Sequence, residues 1–123
     1  MLINKRFDIK PDLIQKLAEN EEALSLLYEE YAKTFSSHRD LWSKLAHEEK
    51  EHANWIRELY SNREDNALVI NGDRFNRQAI QTFLNYMQRE LEIVKKGKAI
   101  LINALSVALY IEESLIEQLM LMI

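Results

Sequence analysis

The stretch Leu41–Leu59, LWSKLAHEEKEHANWIREL, constrains this chain most, because it sets a Glu and a His into a helical stripe that is otherwise apolar. At alternating steps of three and four, Trp42, Leu45, Glu49, His52, Ile56 and Leu59 fall on one face. Four of the six belong in a core. A carboxylate among them is costly unless it is paired, protonated or bound to a metal. Glu49 and His52 stand one helical turn apart, the spacing at which an inward Glu-x-x-His can hold a metal inside a helical bundle. A second stripe, Leu41, Leu45, Glu48, His52, Trp55 and Leu59, is almost as apolar. The stretch alone therefore also fits a charged helix whose His52 hydrogen-bonds a neighbouring carboxylate.

The rest of the chain points to an all-α fold. Its 123 residues suffice for a single domain, 1–123, with a real core, and they include only two Gly and one Pro. The formal net charge is −4 and no basic patch stands out, which argues against a nucleic-acid partner. With no cysteine there is no disulfide, no thiolate-bound zinc, no iron–sulfur centre and no rubredoxin-type iron. Ile100–Ile123 is apolar, but Glu112, Glu113, Glu117 and Gln118 mark it as a buried helix, with no membrane role. Met1–Lys10 lacks the apolar core of a signal peptide, so a cytoplasmic location is expected.

Four helices are predicted. The first starts near Pro11, with Asp12 favouring its positive end. Its stripe is Ile14, Leu17, Leu24, Tyr28, Tyr31 and Phe35, interrupted by Glu21, while Glu22, Ser25, Glu29 and Lys33 share a side that reads as solvated. The polar segment Ser36–Asp40 is short enough to make the second helix an antiparallel neighbour, with Asp40 a candidate cap and a helix end near Tyr60. A long connection follows over Ser61–Asp73, containing the turn signal Asn71-Gly72 and a β-prone run, Leu68-Val69-Ile70, that packs as extended chain. The third helix spans Arg74–Lys96, with the stripe Ile80, Phe83, Leu84, Met87, Leu91 and Val94, and Gly97 as its stop. The fourth spans Lys98–Ile123, with the stripe Leu101, Leu105, Ala108, Glu112, Leu115, Leu119 and Met122. Glu113 lies on a competing stripe with Leu109, Ile116 and Met120, so Glu112 and Glu113 both stand as the inward carboxylate.

With these carboxylates in hand, the chain resembles the rubrerythrin branch of the ferritin-like superfamily. The likeness rests on LAENEEALSLLYEEYAKTF and LWSKLAHEEKEHANWIREL, on the EExEHA core at Glu48–Ala53, on Tyr28 seven residues after Glu21, and more weakly on INALSVALYIEESLIE. The resemblance implies a ferritin-like antiparallel helical bundle that holds two metal ions between its helices. Carried over residue by residue, it makes Glu21 the ligand from the first helix and Glu49 a bridge between metals. It makes His52 a ligand to one metal and Glu112 the ligand from the third core helix. Carboxylate and imidazole donors without thiolate suit iron, or manganese or another divalent metal.

The family's second Glu-x-x-His is not found: the motif occurs once in the 123 residues, at Glu49–His52. The expectation is a family member lacking the last core helix, with a partial or vestigial di-iron site. Its iron or peroxide chemistry would be weak and would draw on an external reductant, with Tyr28 as a hydrogen-bond donor to peroxide. The expected partner is a second copy: a homodimer in which the last helix of one chain covers the open face of the other. A closed monomer, with Leu105, Ile116 and Leu119 buried against the third helix, is the competing arrangement. A metal-free helical oligomerisation or interaction protein is the alternative of another class.

Overall fold

A computed structural model describes residues 11–61 and 77–121. Leu68-Val69-Ile70 and Asn71-Gly72 lie outside the described residues, as do the side chains of Leu115, Ile116 and Leu119. The fold is all-α: α1 is Pro11–Thr34, α2 Arg39–Ser61, α3 Arg77–Lys95 and α4 Leu101–Leu121. Among the described residues, no helix is long and apolar enough to cross a membrane.

One 3-10 turn, Ser36–His38, joins α1 to α2. It leads directly into helical backbone at Arg39, so Asp40 sits inside the first turn of α2 and not at its cap. Its charge still favours the positive helix end. Cross-helix pairs show the directions. Lys50 meets Glu29 and Arg57 meets Glu22, so α2 runs antiparallel to α1. Lys16 bonds Gln81 and the charge of Glu90 acts on Tyr31, so α3 runs along α1 in the same direction. α4 returns against α3, with Tyr110 against Phe83 and Tyr86.

The core follows the predicted stripes of α1 and α3. Ile14, Leu17, Leu24, Tyr28 and Tyr31 are buried on α1, and Ile80, Met87 and Val94 on α3. On α2 the packing selects the stripe through Trp42, Glu49 and Ile56, and leaves Leu41 and Trp55 exposed. Trp42 stacks among Tyr28, Tyr31 and Phe35, with its centroid 4.9 Å from that of Tyr31 in an edge-on pair.

Two expectations are corrected. Ser25 is buried, where the pattern places it on a solvated side. Its hydroxyl donates to the Ala46 carbonyl at 2.8 Å, and two small residues let α1 and α2 approach closely there. On α4 the buried row is Ala104, Val107, Ala108 and Ile111, whereas Leu105 is 41% exposed and Leu109 63%. The smaller side chains join the core cluster that holds Trp42, and Leu105 lies at its rim.

The α3–α4 connection is a backbone device. Gly97 has φ +73°, its N–H donates to the Val94 carbonyl, and the Lys98 N–H donates to the Ile93 carbonyl. That pair of bonds is a Schellman cap. The cap holds Lys98–Ile100 out of the helix, so α4 begins at Leu101 and not at Lys98. A Cβ at position 97 would meet nothing within 4 Å, so Gly97→Ala carries only the left-handed backbone penalty. The expected loss is about 1 kcal/mol in chemical denaturation.

Candidate metal centre

Helical spacing puts Glu21 in register with the buried faces of Leu17, Leu24 and Tyr28, and the antiparallel partner helix brings Glu49 to the same level. Glu21 is 3% exposed and Glu49 1%. His52, one turn after Glu49, lies where α2 turns towards solvent, and its side chain is 50% exposed. Its Nδ1 lies 3.1 Å from Glu49 Oε2 and 3.9 Å from Glu21 Oε2. One donor atom from each of the three residues lies within 4.8 Å of the others, a group that could hold a metal ion.

The fourth predicted residue also reaches this neighbourhood. Glu112 accepts a 2.8 Å hydrogen bond from the Tyr28 hydroxyl, and its charge acts on Glu49. Glu113 is exposed, so α4 turns Glu112 inward. Glu48 and Glu22 stay off the cluster, and Glu22 pairs with Arg57 at 2.7 Å. His47 pairs with Glu51 on the exposed side of α2, and His38 is exposed in the 3-10 turn.

Electrostatically the cluster is a site of suppressed charge. Burial is the main cause that pushes the Glu49 carboxyl up, to about 11. The hydrogen bond to Glu21 and its charge add to the rise, followed by those of Glu112. Glu21 is raised too, again first by burial, with the hydrogen bond to Glu49 and the charge of His52 acting against it. Burial therefore disfavours a full negative charge on both carboxyls at once. The Tyr28 hydroxyl is held neutral well above its usual range by burial and then by Glu112.

One buried polar residue of α1 went unread in the sequence. Asn20 donates through Nδ2 to the Ile80 carbonyl, but its Oδ1 has no partner. A lone Asn between Leu17 and Leu24 gives no pattern to single it out. More telling is Glu21 Oε2, buried and without a hydrogen-bond partner inside the cluster. In comparison with known proteins, no family model, no curated protein and no solved structure matches this chain.

Proposed function

We propose that this is a rubrerythrin-like, ferritin-like metal protein whose Glu21, Glu49 and His52 bind a divalent ion, with Glu112 beside them. The observation that supports it is the buried Glu21 Oε2, which has no hydrogen bond and lies 3.9 Å from His52 Nδ1. A buried acceptor of that kind is costly unless a cation completes it. The donor set fits the ion: two carboxylates and an imidazole, with no thiolate, favour iron or manganese. Iron bound there supplies a ferrous–ferric couple for peroxide chemistry, fed by an external reductant.

The chain's own residues have separable parts in this reading. Glu21 and Glu49 would hold the ion through carboxylate oxygens. His52, whose Nδ1 lies beside Glu49, would hold the ion through a ring nitrogen. Tyr28 holds Glu112 by its hydroxyl, which fixes that carboxylate at the edge of the site.

A second reading has its own observation. Ile102, Leu105 and Leu109 are exposed along α4, as a metal-free interaction helix would have them. Metal content separates the two. Protein purified from iron- and manganese-supplemented medium is expected to carry bound metal, and Glu49→Gln is expected to carry none. Wild-type protein at background metal content would overturn the metal reading and leave the interaction helix.

A further inference from the structure

We propose that the hollow between α3 and α4, lined by Phe83, Tyr86, Arg89 and Tyr110, binds a small anionic ligand built on a flat aromatic ring system. The hollow is separate from the carboxylate cluster. Tyr110 and Glu112 both stand on α4, but two residues turn a helix by about 200°. Glu112 meets Tyr28 of α1, whereas Tyr110 meets Phe83 and Tyr86 of α3. The proposal therefore stands with or without a metal in the cluster.

Three aromatic rings come together at this surface. The Tyr110 centroid lies 6.0 Å from that of Phe83 and 5.5 Å from that of Tyr86, edge-on to the second. Phe83 and Tyr86 back onto the core cluster, but Tyr110 is 53% exposed. α4 is anchored to that core by Ala104, Val107, Ala108 and Ile111, so Tyr110 is an addition outside it. Between the rings and Arg89 lies a hollow of about 520 Å³. Small-molecule sites are concave, mostly apolar and roughly 300–1,000 Å³, with a few polar groups that set orientation. Ring faces and edges of this kind pair with a further aromatic ring.

Arg89 decides the charge of the ligand. Its side chain lines the hollow, and among the described residues it forms no ion pair with a carboxylate. Its charge reaches Tyr86: burial first, then Glu90 and Tyr110, push the Tyr86 hydroxyl up, and Arg89 opposes them. Glu90 does not line the hollow. Its charge also acts on the buried Tyr31, which places it towards the core side of α3. Three rings alone would also suit a quaternary ammonium. A guanidinium beside them repels that cation and attracts an anion. Its planar fork matches a carboxylate, sulfonate or phosphate with two parallel N–H bonds. The chain as a whole carries −4, so attraction of an anion here is local to Arg89.

Isothermal titration of the full chain with three probes of one ring system tests this: naphthalenesulfonate, the neutral naphthalenesulfonamide and the cationic trimethylnaphthylammonium. The sulfonate is expected to bind one per chain, about tenfold or more tighter than the sulfonamide, with the ammonium weaker still. Arg89→Gln is expected to bring the sulfonate down to the affinity of the sulfonamide and to leave the sulfonamide unchanged. Arg89→Lys is expected to restore part of the preference. Tyr110→Ala is expected to weaken both probes. Arg89 and Tyr110 are exposed, so the variants should keep the helical circular dichroism of the wild type. Chelator is expected to change none of these results. No binding of the sulfonate, equal affinity for sulfonate and sulfonamide, or a sulfonate affinity untouched by Arg89→Gln overturns the proposal. Sulfonate binding that Tyr110→Ala does not weaken lies elsewhere on the chain and also overturns it. Tightest binding of the ammonium overturns it in favour of a cation cage.

Discussion

Glu49→Gln is expected to make the metal-free protein more stable at neutral and alkaline pH. The wild-type carboxyl has an ordinary value of 4.5 when exposed and is pushed up to about 11 by burial and by Glu21 and Glu112. Between those values the folded state holds a proton that the unfolded state releases. Stability contributed by this group is full below 4.5 and is lost as pH rises towards the folded value. One such proton corresponds to a slope of at most about 1.4 kcal/mol per pH unit. Urea denaturation of chelator-treated protein at pH 5, 6, 7 and 8 is therefore expected to show a falling stability for wild type. Glu49→Gln, which has nothing to ionise and whose amide can donate to Glu21, is expected to show a much flatter profile. A cation replaces the proton, so metal should stabilise wild type more at pH 8 than at pH 5 and leave the variant unchanged. A wild-type profile that is flat without metal would mean the pair does not hold a proton in the folded state.

Trp42→Ala is expected to be the most damaging single change in the core. Trp42 is fully buried, and its ring touches Tyr28, Tyr31 and Phe35 at the centre of the α1–α2 contact. Removing it leaves a cavity that three aromatic rings cannot collapse into without leaving their rotamers, at a cost of roughly 3–5 kcal/mol. That is a large share of a total stability of about 5–15 kcal/mol. The indole Nε1 has no hydrogen-bond partner, so Trp42→Phe removes an unsatisfied donor together with some volume. It is expected to cost much less than the alanine change. Denaturation midpoints of the two variants check this, and similar losses for both would show that the indole N–H is satisfied. The damage should reach the metal centre as well, because Tyr28 packs on Trp42 and holds Glu112.

The helices were legible in the residues, since helical periodicity and the near absence of Gly and Pro leave little else for these segments to form. Glu21 was legible as well: Leu17, Ala18 and Leu24 stand three and four residues from it, and the next acidic residue lies on a visibly polar side. Gly97 was readable as a stop because few residues tolerate its left-handed backbone.

Other choices belonged to the tertiary structure. Glu48 and Glu49 lie on adjacent stripes about 100° apart with similar apolar neighbours, and the same holds for Glu112 and Glu113. A single helix cannot choose between such faces; the choice is made by which neighbour covers which side. Here Trp42 enters the aromatic cluster and carries Glu49 inward with it, while Ile111 is drawn into the core and turns Glu112 towards Tyr28. The burial of Ser25 arises in the same way, from the close approach of α1 and α2 at Ala46. The half-exposure of His52 depends on α1 covering one side of α2 and leaving the other open. Sequence determined which faces each helix offers, and packing alone decided which of them was buried.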